Sequence, residues 1–383
     1  VSRSTDPGVL LDQARRGDRA ALARLLSIVE RGGSPAHSLA ALSYRVPPPY
    51  TVGLTGAPGA GKSTLTDRLI TVARHGWPGS GRGDRREREP EPDGREPESD
   101  GRGAEPDGRE PEPDGREPEP DGRGAEPDGR GAEPDGREPE PVDQVAVLAV
   151  DPSSPFSGGA ILGDRVRMQR HATDPSVFIR SMATRGHLGG LALAVPDAVR
   201  VLGSVGVPLV IVETVGVGQM EVEVASATDT TVVVVTPGWG DSMQANKAGL
   251  LEVADVLVIN KADRPGVRET RRDLEQMIDL SAPSDWRPCV VETVATSDAG
   301  VDSLWDAVAR HRAYLAERGE LARRRTGRLA QELRRVLEAR ALIEIDRTAA
   351  GAAFGQAVEA MAAGRLDPYR AADQLRSYAE GVA

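Results

Sequence analysis

The chain has 383 residues, a formal net charge of −11 and a single cysteine, Cys289. The length allows one large domain with appendages or two domains, the acidity argues against a nucleic-acid binder, whose surface must neutralise phosphates, and one cysteine excludes an intramolecular disulfide or a multi-cysteine metal site. No apolar stretch follows a basic start and no run nears bilayer-spanning length, so a soluble, cytoplasmic protein with no membrane partner is expected.

Residues 8–46, within an N-terminal segment 1–46, carry helical periodicity, in Leu10, Leu11 and Ala14 and then in Ala21, Leu22, Leu25, Leu26, Ile28 and Val29, with Gly32-Gly33 closing the second stretch. A helical N-terminal extension is predicted, ended by Pro47-Pro48-Pro49. A short apolar strand follows at Tyr50-Thr51-Val52-Gly53-Leu54, and the stretch from Ser63 to Ile70 is helical in pattern.

Between this strand and helix stands Gly56-Ala57-Pro58-Gly59-Ala60-Gly61-Lys62-Ser63, the G-x-x-x-x-G-K-[ST] spacing of a phosphate loop. Glycines let successive N–H groups converge on phosphate oxygens, the helix N-terminus adds partial positive charge, and Lys62 adds a full one. The Ser63 hydroxyl is a candidate magnesium ligand, and Gly56 through Thr64 are the candidate phosphate contacts. A Gly-rich turn that only caps a helix is the competing reading; the strand and helix flanks favour the loop.

From about Gly76 the composition changes to Asp-Gly-Arg units at 93, 100, 107, 114, 121, 128 and 135, spaced by Glu-Pro and Gly-Ala. Prolines and the lack of apolar a and d positions exclude a coiled coil. With so few residues able to enter a core, 79–142 is expected to be a disordered, inert insertion in a surface loop.

Apolar runs without alternation return at 145–150, 177–179, 209–213, 231–236, 256–260 and 288–291, as strands covered on both faces require. Helix-like stretches at 189–202, 240–253 and 267–280 lie between them, so the α/β fold of a P-loop NTPase, with a mainly parallel sheet and helical extensions, is predicted over 47–300. From 301 to 383 the chain is helical, with one face at Leu304, Ala307, Val308, His311, Tyr314 and Leu315 and another at Leu329, Leu333, Val336 and Leu337. This region is expected to cover the sheet or to pair with a second subunit as a homodimer. The basic cluster Arg323-Arg324-Arg325 reads as a solvated face.

The base is read from Asn260-Lys261-Ala262-Asp263, directly after a strand. A carboxylate at Asp263 can accept hydrogen bonds from N1 and N2 of guanine, which adenine does not offer, and the Lys261 stem can lie along the ring. An ordinary strand-to-helix turn is the competing reading of this tetrapeptide; its position downstream of Glu213 and the P-loop favours GTP and GDP as ligands. Glu213, at the end of an apolar strand, is followed by Gly216. In G proteins a carboxylate there holds magnesium through water and the glycine amide touches the γ-phosphate. Glu213 is one methylene longer than the usual Asp and is expected to reach the metal's water shell or to orient the attacking water.

Four runs carry a resemblance: Ala149-Val150-Asp151-Pro152-Ser153-Ser154-Pro155-Phe156, Gly163-Asp164-Arg165-Val166-Arg167-Met168, Phe178-Ile179-Arg180-Ser181-Met182-Ala183-Thr184-Arg185-Gly186 and Glu213-Thr214-Val215-Gly216-Val217-Gly218-Gln219. The sequence resembles the MeaB/ArgK family of G proteins over most of its length outside 79–142. The resemblance implies a GTPase that acts as chaperone of an adenosylcobalamin-dependent acyl-CoA mutase, of the methylmalonyl-CoA or isobutyryl-CoA mutase kind, gating cofactor delivery and protecting the mutase. It also implies Asp151 and Asp164 joining Ser63 and Glu213 around Mg2+, and Lys247 on a switch that answers to the mutase and assists catalysis beside Lys62 and Glu213. The family usually shows Ser-Ala behind the guanine where Val294-Ala295 stands; the Ala295 amide is still expected to meet the guanine oxygen. A nickel-delivering maturation GTPase, a protein kinase of a transport system and a scaffold that merely holds nucleotide are the competing functions.

Overall fold

The computed structural model describes residues 6–75, 143–152, 168–171, 173–184, 190–214, 227–238, 253–281 and 285–380. All belong to one compact unit that takes in Val1–Trp77 and Pro139–Ala383. The repeat segment 79–142 and the helix-like stretch 240–252 lie outside the described residues.

Three helices open the chain: α1 (Pro7–Arg15), α2 (Arg19–Arg31) and α3 (Ser34–Ser43). Each of the first two begins at an aspartate that satisfies orphan N–H groups, Asp6 accepting from Val9 N and Asp18 from Ala20 N and Ala21 N. Gly32, at φ 68°, ends α2 where the chain must turn left-handed.

Seven strands follow among the described residues: β1 (Tyr50–Gly56), β2 (Val145–Pro152), β3 (Val177–Thr184), β4 (Leu209–Thr214), β5 (Thr230–Val235), β6 (Val256–Asn260) and β7 (Cys289–Thr293). They form one sheet in the order β3-β2-β4-β1-β5-β6-β7, and each neighbouring pair of strands runs parallel. The predicted α/β class and its parallel sheet are therefore present. Among the described residues the intervening α-helices are α4 (Lys62–His75), α5 (Gly190–Ser204) and α6 (Val267–Leu280), and α7 (Val301–Glu317), α8 (Glu320–Ala349), α9 (Ala352–Ala362) and α10 (Pro368–Glu380) follow the sheet.

Successive side chains of a strand point to opposite faces, so each strand feeds two cores. Leu209 and Ile211 of β4, Val232 and Val234 of β5 and Val256 and Val258 of β6 join Leu65, Leu69 and Ile70 of α4 and Leu304 and Val308 of α7. On the other face Val210 and Val212 pack with α1–α3 and α5, through Leu10, Leu25, Leu39 and Leu202, while Val233, Val235, Leu257 and Ile259 pack with Leu274 and Ile278 of α6. The N-terminal helices thus roof one half of the sheet, and Arg180 of β3 pairs with Glu30 of α2 at 2.7 Å to fasten them. Among the described residues no helix is long and apolar enough to cross a membrane.

The basic cluster in α8 corrects the reading of a solvated face. Arg323 does project outward, paired with Glu320 at 2.7 Å. Arg324 instead reaches Asp255 Oδ1 at 3.0 Å, and Arg325 donates to Asp229 Oδ2 at 2.7 Å and to the carbonyls of Pro48 and Pro49 at 3.1 and 3.0 Å. Arg328 joins Asp229 as well. Asp229 and Asp255 precede β5 and β6 and accept from Thr51 N at 3.0 Å and Thr231 N at 2.8 Å, so the arginines lock α8 onto the N-terminal ends of three strands. Burial opposes ionisation of Asp229, but the Arg325 hydrogen bond and the Arg328 and Arg325 charges outweigh it and hold the carboxyl below its usual range.

Candidate nucleotide site

In a parallel sheet ligands bind beyond the carboxyl ends of the strands where the chain order reverses. Here β1 stands between β4 and β5, and the connection from β1 to β2 leaves in one direction while β5 to β7 continue in the other. The segments read from the sequence as nucleotide contacts leave the sheet at this end: the P-loop after β1, Glu213 near the end of β4, Asn260 at the end of β6 and Val294-Ala295 directly after β7.

The P-loop turns directly from β1 into α4, whose first residue is Lys62. Gly56, at φ 136°, comes so close to β5 that a Cβ would run into Val234 O, and Gly61, at φ 91°, would drive one into the Asn260 amide. At Gly56 a side chain is excluded by backbone as well as by dihedral angle, while at Gly61 the dihedral angle disfavours one and the Asn260 amide would have to shift. Lys62 is buried and donates to Gly56 O at 2.6 Å and Ala57 O at 3.1 Å, folding its ammonium over its own loop.

Ser63 and Glu213, drawn from segments 150 residues apart, meet: Ser63 Oγ donates to Glu213 Oε1 at 2.6 Å, with the two residues 6% and 1% exposed. Beside them Thr214 Oγ1 donates to Thr55 Oγ1 at 3.2 Å, tying β4 to β1. A hydroxyl and a carboxylate that converge next to a phosphate loop form an all-oxygen donor set of the kind magnesium takes alongside phosphate oxygens and water. Among the described residues no group of three or more His, Cys, Asp or Glu is placed to hold a metal ion.

The residues read from the sequence as base contacts are fastened to the glycine-rich loop. Asn260 Nδ2 donates to Ala60 O at 2.8 Å, its Oδ1 accepts from Thr293 Oγ1 at 3.1 Å and from Ala295 N at 3.2 Å, and Lys261 Nζ donates to Gly59 O at 2.7 Å. Lys261 holds φ 61°, a left-handed conformation that turns the chain sharply after β6. Asp263 follows in that turn with its carboxylate exposed. The Ala295 amide, read from the sequence as a donor to the guanine oxygen, here donates to Asn260. Val294 closes its loop by donating from N to Ala299 O at 2.9 Å. Gly216, Asp164 and Lys247 lie outside the described residues; Asp151 is on β2, at the same end of the sheet. Sequence reasoning missed Arg68 of α4, which donates from Nε to Ala295 O at 3.1 Å; a lone arginine on an amphipathic helix gives no periodic or motif signal.

A family model described as methylmalonyl Co-A mutase-associated GTPase MeaB matches residues 140–350. A Pyrococcus abyssi protein named as a GTPase is 38% identical over 371 residues, covering 96% of this chain and 94% of the relative. The chain belongs to the MeaB family. It is a GTPase that binds guanine nucleotide. GTPase ArgK of Escherichia coli is 38% identical to this MeaB-family chain over 200 residues, or 51% of the chain and 60% of ArgK, and a mouse protein named methylmalonic aciduria type A homolog, mitochondrial, is 37% identical over 187 residues, or 48% and 45%. A crystal structure titled LAO/AO transport system kinase superposes with a TM-score of 0.61 at 23% identity over 99% of both chains, a likeness of fold.

Proposed function

We propose that this MeaB-family GTPase is the cytoplasmic chaperone of an adenosylcobalamin-dependent acyl-CoA mutase of the methylmalonyl-CoA mutase type, gating cofactor loading and protecting the mutase by GTP binding and hydrolysis. The match to a family described as mutase-associated carries this reading.

In the proposed mechanism Lys62 leaves the carbonyls of Gly56 and Ala57 for the β- and γ-phosphates, while the loop amides from Gly56 to Thr64 hold the remaining oxygens. Ser63 and Glu213, with Asp151 and Asp164, would hold magnesium, which when bound supplies charge against the phosphate oxygens. Glu213 orients the attacking water, the Gly216 amide meets the γ-phosphate, and Lys247 stabilises transition-state charge once the mutase orders its segment. Asp263 accepts from guanine N1 and N2, with Lys261 along the ring and Val294 and Ala295 behind it.

We further propose a homodimer. Leu333, Leu337 and Ile345 of α8 and Val358 of α9 are between 47% and 61% exposed, and no residue of α8 is buried. Such an apolar stripe on a 30-residue helix is what a second copy would cover.

Co-purification with candidate acyl-CoA mutases, followed by GTP turnover with and without them, tests the chaperone reading. It predicts a stable complex whose turnover differs from that of the GTPase alone. Turnover unchanged by every mutase, together with no complex, would overturn it.

A further inference from the structure

We propose that Arg68 is a positioning residue that sets the base-side loop and thereby sharpens selection of guanine over adenine. The proposal rests on the assignment of Asp263 and Ala295 to the base.

Residues 294–300 form a closed turn. Val294 N donates to Ala299 O at 2.9 Å and Ser297 N to Val294 O at 3.0 Å. Asp298 and Gly300 both hold left-handed conformations, at φ 62° and 76°. A turn so constrained moves as a unit, and its height over the base depends on what holds it from outside. Two side chains do. Asn260 takes the Ala295 N–H, and Arg68 takes the Ala295 carbonyl at 3.1 Å, so both polar backbone atoms of one residue are fixed. Arg68 also grips the far side of the turn, with Nε 3.0 Å from Asp298 Oδ1 and Nη1 3.4 Å from Oδ2.

Both clamps lead back to the phosphate loop. Asn260 is fastened to Ala60 O, and Arg68 stands on α4, which begins at Lys62. Its side chain is 14% exposed, so the bond to the Ala295 carbonyl is partly shielded from competing water, while Asp298, 63% exposed, makes the weaker hold. Ala295 itself is 3% exposed. Asn260 and core packing hold the N–H side of Ala295; the Arg68 contact adds a hold on its carbonyl and on Asp298 across the turn, and with it on the distance to the Asp263 carboxylate that would read the opposite edge of the base. Base selection depends on such distances because a site built around specific hydrogen bonds rejects a ligand that leaves them unpaired.

The test is the dissociation constant of GTP, ATP and ITP for the full chain and for Arg68→Ala, Arg68→Lys, Asp298→Ala and Asp263→Asn, with melting temperatures in parallel. Arg68→Ala is expected to narrow the GTP-to-ATP preference by about tenfold, Arg68→Lys to restore part of it, and Asp298→Ala to narrow it less. Should Arg68→Ala prove unfolded, Arg68→Lys decides. A folded Arg68 variant, lowered in melting temperature or not, that keeps the full preference while Asp263→Asn loses it would overturn the proposal and leave the base assignment standing. A preference that survives Asp263→Asn would remove the base assignment itself.

Discussion

Ser63 Oγ donates to Glu213 Oε1 across 2.6 Å, joining the last residue of the phosphate loop to the end of the neighbouring strand in a buried contact. A serine that gives its proton to a carboxylate turns its lone pairs elsewhere, which is the orientation a metal ligand needs.

The account predicts that Glu213→Gln, which keeps size and removes charge, slows GTP turnover by about a hundredfold or more. GTP affinity should fall in magnesium and stay unchanged in chelator, because only the metal-dependent part of binding is touched. Isothermal titration in both buffers, with single-turnover assays, checks this; an equal loss in both would show that Glu213 acts on the fold instead.

Asp229 is a buried, multiply paired charge, so removing Arg325 leaves it to Arg328 and Thr51 N and takes the donor from the Pro48 and Pro49 carbonyls. Arg325→Ala should cost about 2 to 3 kcal/mol in urea unfolding, less than a fully uncompensated buried charge because Arg328 remains. Because the Asp229 carboxyl is held below its unfolded range, its contribution is present above the unfolded pKa and is lost as pH falls through the folded one. The stability gap between wild type and Arg325→Ala should therefore shrink in acid, and a gap independent of pH would contradict the pairing.

Asp197 on α5 behaves in the opposite sense. Burial, and then the charge of Glu332, push its carboxyl up from 3.8 to about 6 against the pull of Arg200. The folded state holds this proton more tightly than the unfolded one, so stability declines as pH rises from about 4 to 6 and the cost is complete above that. Asp197→Asn should match wild type near pH 4 and exceed it at neutral pH by up to about 3 kcal/mol. Chemical denaturation across that range measures both; parallel curves would refute the shift.

The repeat segment has almost no apolar residues to contribute to a core, offering besides its prolines just Ala104, Ala125, Ala132 and Val142, and loop-closure cost grows slowly with length. Deleting residues 82–140 should leave GTP turnover within about twofold of wild type and the melting temperature unchanged or slightly raised. A large loss of turnover would assign the segment a role.

The sheet was legible because Leu209 to Val212 and Val256 to Ile259 are unbroken apolar runs, as strands covered on both faces require. The phosphate loop and the Asn260-Lys261-Ala262-Asp263 segment were legible because their chemistry is local in sequence. What could not be read is long-range pairing. Arg325 and Asp229 lie 96 residues apart, and Arg68 and Ala295 lie 227 apart, so neither partner announces the other. That is why three consecutive arginines looked solvated, when two of them are spent on strand-end aspartates. The resting pose of Lys62 was equally hidden, since a motif specifies the bound state and not the contacts that substitute for phosphate.

The central claim is that guanosine triphosphate is gripped at the carboxyl ends of β1, β4 and β6 by Lys62, Ser63, Glu213 and Asp263. Calorimetric titration of GTP and of ATP, in magnesium, into wild type, Lys62→Ala and Asp263→Asn tests it most directly. The account predicts one site for GTP, at least about tenfold weaker binding of ATP, loss of most GTP affinity in Lys62→Ala, and loss of the base preference in Asp263→Asn. Equal heats for both nucleotides in wild type, or unaltered GTP binding in folded Lys62→Ala, would contradict it.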